Sequence, residues 1–313
     1  MIKKIYSDFF KINGIVVDNT YDVFVLHSYI KYVKNNEVVY LQSQDNDLSY
    51  LENFKRIRFL SVPKEAENIN YINDLQQLIG LSIYSSQIKY INKDILSRVE
   101  FLEVVFDDKT VICYENFQSL AYLKIEKYPN NELVINSCLK YLELNYCRQI
   151  ESLECISNMM FLENLRLHYL PKLKDITQLQ VSEKSLISLE IYDCKNIVGL
   201  EKTLLKMSNL VVLALETENT DRNLLLKSVS FVNGLNKLEQ FSTNYRIYDG
   251  DLRPLLKLKC VNITEFYKNY NIKDKYLPHK EVLIEENGEL RIVDIESLPN
   301  KNEDVRIVWM DKI

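Results

Sequence analysis

The sequence predicts an α/β solenoid, a chain wound into successive coils that each contribute one short parallel strand, with a terminal cap at either end. Three observations lead there. A frame with apolar residues at its first, fourth and sixth positions recurs along most of the chain, as in "LKYLEL" from Leu139. After the strand portion the apolar spacing changes from two to three, through Cys147, Ile150 and Leu153, which fits a tight turn whose apolar side points back inward. Finally, "EVLIEENGELRIV" alternates on both sides of Asn287-Gly288, a pair suited to the positive φ angles of a two-residue hairpin turn.

Residues 1–50 are apolar and aromatic without a clean frame and are assigned to an N-terminal cap. Residues 51–270 form the solenoid, about ten coils. Its clearest copies are "LKYLEL", "LENLRL" from Leu162, "LISLEI" from Leu186 and "LVVLAL" from Leu210, whose starts are 23, 24 and 24 residues apart. Looser copies precede them: "FKRIRF" from Phe54, "LIGLSI" from Leu78, "VEFLEV" from Val99 and "LAYLKI" from Leu120. Two follow, "LEQFST" from Leu238 and "LKCVNI" from Leu258. Within each copy the fourth and sixth residues share the inner face of a strand, and the first enters from the preceding bend. One coil cannot cover its own apolar side, so neighbours must stack. Short helices are expected where coils lengthen, in "EKTLLKMS" and "DRNLLLKSVSFVN". Residues 271–313 form a C-terminal β cap, to which "VRIVW" at 305–309 adds a third strand.

The frame resembles the leucine-rich repeat family, LxxLxLxx(N/C) every 20 to 29 residues, over about residues 54 to 265. Cys147 and Cys194 stand at its ninth position, and the continuations "CRQIESL" and "CKNIVGL" are similar to the family's cysteine-containing variant. Departures exist: Leu170 takes the ninth position in one copy, the first four copies lack Asn or Cys there, and one spacing is only 19 residues. The resemblance implies right-handed coils, a curved parallel sheet, and short helices or loops on the convex side.

Composition narrows the function. With 39 Lys and Arg against 44 Asp and Glu, the net charge of -5 argues against nucleic acid, whose phosphates need neutralising, and favours a basic protein partner. No apolar run is long enough to span a membrane. Asp8 and Lys11 interrupt the only candidate leader, so a cytoplasmic protein with reduced thiols is expected. Richness in Ile, Asn, Lys and Tyr points to a bacterial, AT-rich genome.

Chemistry is sparse. None of His27, His168 and His279 has a motif around it, the six cysteines form no CxxC pair, and six glycines leave little for a phosphate-cradling loop. No enzyme activity, cofactor or metal is therefore expected. Cys147 and Cys194 read as inward-facing apolar groups, while Cys260, at an outward strand position, is the candidate for thiol reactivity. "NIT" at 262–264 matches a glycosylation acceptor, but its strand position makes the match a coincidence.

The outward strand positions carry the candidate binding surface, on the concave side. The fifth position supplies Glu143, Arg166 and Glu190, the seventh Tyr84, His168, Tyr192 and Glu216, and the eighth Phe106, Tyr146, Tyr169, Asp193 and Tyr245. In the first copy the same positions are Arg58, Leu60 and Ser61. Tyr122 and Tyr141 add rings from the third position. Amphipathic rings beside an acidic row suit a protein interface. The expected function is a non-catalytic recognition protein, such as a cytoplasmic inhibitor or immunity protein gripping a basic toxin or enzyme. The alternative is a secreted or surface adhesin or effector that binds host proteins.

Overall fold

The computed structural model describes residues 2–135, 139–218, 224–264, 280–286, 289–292 and 306–311, in two compact units, Met1–Cys147 and Arg148–Ile313. Cys138, His279 and the Asn287-Gly288 turn lie outside the described residues.

The first unit opens with an antiparallel hairpin, β1 (Lys3–Ser7) and β2 (Ile12–Val17). Helix α1 (Val23–Asn36) then crosses over. It starts where the Asp22 carboxylate accepts the Phe24 and Val25 N–H groups, two donors the helix itself leaves unmet. It ends where Glu37 turns left-handed at φ 51°. From there every strand pairs parallel with the one before: β3 (Tyr40–Ser43) with β2, then β4 (Phe59–Ser61), β5 (Gly80–Tyr84), β6 (Phe101–Val105), β7 (Tyr122–Glu126) and β8 (Tyr141–Asn145).

Leu41, Leu60, Leu81, Leu102, Leu123 and Leu142 are successive partners across these strands, and each is 0% exposed. At roughly 1.5–3 kcal/mol per buried Leu, such columns are the main favourable term of the unit. The Leu60 partnership shifts one copy of the frame. The second coil begins at Ile57, as "IRFLSV", because Leu60 and Val62 hold its fourth and sixth positions; Phe54 is buried in the bend before it. Apolar residues at 54, 57 and 59 satisfied the sequence pattern equally well, and only strand pairing separates the two registers. Arg58, Leu60 and Ser61 are therefore second, fourth and fifth positions. An earlier coil, "VVYLQS" from Val38, lies within the segment assigned to the cap.

The second unit repeats the arrangement through β9 (Asn164–His168), β10 (Ser188–Tyr192) and β11 (Val212–Glu216). The strand β12 (Leu225–Leu226) stands apart, pairing with β14 (Arg246–Ile247), while β13 (Gln240–Thr243) and β15 (Cys260–Ile263) continue the main sheet. Leu165, Leu189, Leu213, Phe241 and Val261 form its fourth-position column, all buried.

Return legs in both units are mostly 3₁₀ segments of one or two turns, such as Ile69–Asp74 and Thr177–Ser182. Two coils carry a short α turn, α2 (Lys93–Leu96), which follows a 3₁₀ segment at Ser85–Tyr90, and α3 (Leu200–Leu204), the latter where a helix was expected. The second expected helix is corrected: its described part forms β12 and a 3₁₀ turn at Ser230–Gly234. A coil of two dozen residues must also make a strand and two bends, which leaves room for only a few short turns.

At the C-terminal end β16 (Lys280–Glu286) and β17 (Glu289–Ile292) form the expected hairpin, with Glu286 opposite Glu289. The third strand, β18 (Arg306–Asp311), lies between it and the sheet, antiparallel to both β16 and β15. No helix among the described residues is long and apolar enough to cross a membrane.

Candidate binding surface

In the first unit, parallel pairing places the third positions of successive coils side by side. They read Tyr40, Phe59, Gly80, Phe101, Tyr122 and Tyr141, a row of rings interrupted once. Phe101 and Tyr122 stack, their centroids 4.3 Å apart and planes 8° from parallel, and Tyr141 follows at 6.3 Å. Burial pushes the Tyr40 phenol up to about 12, against a lowering hydrogen bond with Ser7. Only Tyr122 and Tyr141 of this row were recognised in sequence. Aligning the second coil from Ile57 and adding the coil from Val38 reveals Phe59 and Tyr40, while Phe101 already holds the third position of the copy from Val99.

Beside the rings runs a chain of polar groups at the fifth position. Ser82 Oγ donates to Glu103 (2.8 Å), and Lys124 Nζ lies 2.8 Å from Glu103 and 3.8 Å from Glu143. The Tyr141 hydroxyl donates to Glu143 (2.5 Å). Burial works to lower the Lys124 pKa, but Glu103 first and Glu143 next outweigh it and hold the ammonium above its ordinary value.

In the second unit, pairing aligns His168, Tyr192 and Glu216 across β9, β10 and β11, and Arg166 with Glu190. Glu190 lies between both neighbours, with Arg166 Nε at 3.1 Å and His168 Nε2 at 2.8 Å from its carboxylate. Tyr192 packs between His168 (5.8 Å) and Tyr169, which it meets edge-on at 5.3 Å. Tyr169 and Asp193 follow their strands with φ of 56° and 53°, a left-handed turn that carries each side chain past the strand end. Asp193 accepts from Thr217 Oγ1 (2.7 Å) and pairs with Lys195 (3.0 Å); Glu216 accepts from Ser242. Burial acts to raise the Asp193 pKa, yet these partners keep it below the usual carboxylate range.

Arg166, His168, Tyr169, Glu190, Tyr192, Asp193 and Glu216 thus form one patch on three adjacent strands. The remaining candidates lie elsewhere. Tyr84 and Tyr146 are half-buried in the first unit. Three need correction as surface groups: Phe106 and Tyr245 are each 5% exposed and Glu143 is 7% exposed. Phe106 turns inward to meet Tyr128 edge-on at 5.0 Å, and Glu143 is covered by its own partners. The sequence pattern marks a position as following the strand but not whether the chain's next bend covers it.

The cysteines divide by burial. Cys147 and Cys194 are buried and donate to backbone carbonyls, Cys147 to Asn145 (3.4 Å) and Cys194 to Leu167 (3.4 Å), tying each turn to strand backbone. Desolvation pushes the Cys147 thiol up to about 12, far from nucleophilic. Cys260 is only half-buried; among the described residues the exposed thiol is Cys113, which carried no signal in the sequence. Among the described residues no three His, Cys, Asp or Glu side chains converge as metal ligands.

The Glu190 arrangement predicts a pH dependence. The His168 hydrogen bond, followed by the His168 and Arg166 charges, holds its pKa below 4.5 against the opposing effect of burial. A depressed carboxylate contributes stability that is present above its unfolded pKa and lost as the pH falls through the folded one. Acid titration of stability from pH 6 downward should therefore show a steeper loss below about 4.5 for the wild type than for Glu190→Gln. Coincident profiles would mean that the pair does not form in solution.

Fold and surface together define a solenoid-like repeat protein whose half-buried strand-face side chains are held in place by one another. No protein-family model matches the chain, and no curated protein matches it.

Proposed function

We propose that this chain is a leucine-rich repeat protein that binds another protein through the outward faces of its strands. The observation that supports this best is the His168–Tyr192–Tyr169 cluster with its Arg166–Glu190 pair. Its rings are half-buried and locked by mutual contact, so little rotamer freedom remains to be lost on binding. Amphipathic rings in such settings anchor protein interfaces.

The net charge of -5 favours a basic partner during encounter. Most patch carboxylates are already paired within the chain, however, so the rings rather than the acidity would hold the partner once bound. A cytoplasmic inhibitor or immunity protein for a basic toxin or enzyme is the particular role that fits this reading.

The test begins with the wild-type chain and Tyr192→Ala as parallel baits in the native cell. Calorimetry on the recovered partner should then show about 30-fold weaker binding for the variant, corresponding to ~2 kcal/mol at a hot spot. Thermal melting should barely move. Wild-type affinity in both Tyr192→Ala and Tyr169→Ala would reject the second unit's patch as the contact.

A further inference from the structure

The ring row of the first unit already has an occupant. Phe9 and Phe10 form the tip of the β1–β2 hairpin and lie on the outward face of the strands. Phe10 is 6% exposed, its ring 5.2 Å from Phe59 and 5.5 Å from Tyr40, while Phe9 lies 6.2 Å from Tyr141.

The place where Phe10 sits is the one gap in the row. At Gly80 an added Cβ would lie 2.3 Å from Phe59 Cδ1 and 3.2 Å from Phe10 Cε1, so the space a side chain would fill is taken by those two rings. The row is short of one ring, and the hairpin supplies it from another part of the chain.

The tip's attachment also differs from that of the strands beneath it. Strand β2 pairs with β3 only from Ile15 onward, whereas residues 5–7 pair with residues 12–14, which lie beyond that ladder. Phe10 is buried with Tyr40 and Phe59, Ile5, Phe9 and Ile12 pack against that cluster, and the Ser7–Tyr40 hydrogen bond helps them hold that part down. A two-stranded ribbon on its own is marginally stable, so its hold on the body rests on those side chains.

We propose that the Gly80 gap and the rings around it are a docking site for an aromatic side chain of a protein partner, and that the Phe9–Phe10 tip is a built-in occupant which the partner's ring replaces. The inference rests on the protein-binding reading above and names a second surface for it. Ring geometry argues for an aromatic group over an aliphatic one. Phe10 meets Tyr40 near-perpendicular, at 71°, and Phe59 at 50°, the edge-to-face arrangement that the ring quadrupole favours.

The test uses the full chain with Phe9→Ser and Phe10→Ser together, and as probe a synthetic peptide of the chain's own residues 5–13, IYSDFFKIN. Fluorescence anisotropy of the labelled peptide should show at least about tenfold tighter binding to the double variant than to the wild type, because the wild-type tip competes. A peptide with serine at both phenylalanines should not bind. Equal affinity for the two proteins would overturn the proposal, as would failure to bind a double variant whose circular dichroism matches the wild type. Should the double variant not fold, hydrogen exchange on the wild type decides. Amides of Ile5, Tyr6, Ile12 and Asn13 should exchange at least about tenfold faster than those of Leu81, Leu102 and Leu123. Equal protection would mean that the tip does not lift. Peptide failure alongside a normal loss of partner binding in Tyr192→Ala would sink this inference alone.

Discussion

Leu189→Asp is expected to abolish cooperative folding of the second unit. Leu189 is 0% exposed and lies between Leu165 and Leu213 in the fourth-position column, so an aspartate there faces apolar side chains from both adjacent coils. The loss has two parts. About 1.5–3 kcal/mol of leucine burial disappears. A carboxylate without a partner then either stays charged at a cost of several kcal/mol or takes up a proton, which costs free energy at neutral pH. Together these rival the ~5–15 kcal/mol that typically separates folded from unfolded domains. Repeat architectures add to the damage, since each coil draws its stability from the interfaces with its neighbours. Urea unfolding followed by circular dichroism checks this, with Leu189→Ala as a milder comparison at about 2–5 kcal/mol. Val198→Asp, at a position 73% exposed, should remain within about 0.5 kcal/mol of the wild type. A Leu189→Asp protein that unfolds at the wild-type midpoint would contradict the stacked-coil core.

Gly14→Ala is the second large effect, and its direction runs against the usual one. Alanine within a strand ordinarily gains stability over glycine, since glycine loses more backbone freedom on folding. Here the added Cβ would lie 2.3 Å from Tyr40 Cδ1 and 2.5 Å from the Tyr40 carbonyl oxygen. A ring can rotate aside, but the carbonyl belongs to β3, which is fixed by pairing with both β2 and β4. The strands must therefore separate, and a loss of about 2–3 kcal/mol or more is expected. Gly80→Ala meets only rings, from Phe59 and Phe10, and should cost less because those side chains can give way. Thermal melts of the two variants test the ordering. A neutral Gly14→Ala, or one milder than Gly80→Ala, would mean that the close approach of β2 and β3 is relaxed in solution.

Much of the coil architecture is legible in the amino-acid order. Apolar residues at 139, 142 and 144, and at 186, 189 and 191, mark buried positions because a strand's period of two and a bend's inward residue leave those side chains nowhere else to go. Inward placement of Cys147 and Cys194 follows from the same frame, and the alternation on both sides of Asn287-Gly288 discloses the C-terminal hairpin strands. The candidate surface is less legible. Counting along the frame places Arg166, His168, Glu190 and Tyr192 on neighbouring strands, but it cannot show that the Glu190 carboxylate is approached by Arg166 Nε and His168 Nε2 together. Nor can it separate Tyr169, half-buried, from Tyr245, buried, since both follow a strand at the same position.

What the sequence by itself determined is the local alternation, namely which residues of a coil face inward, because that depends only on backbone geometry and apolar character within about ten neighbouring residues. Tertiary structure decided the rest. Whether Phe54 or Ile57 starts a coil, whether third-position rings line up into a row, and that Phe9 and Phe10 fold back onto it all depend on which strand pairs with which. Such pairing joins segments far apart in the chain, and its free energy is shared among many contacts that no single stretch contains.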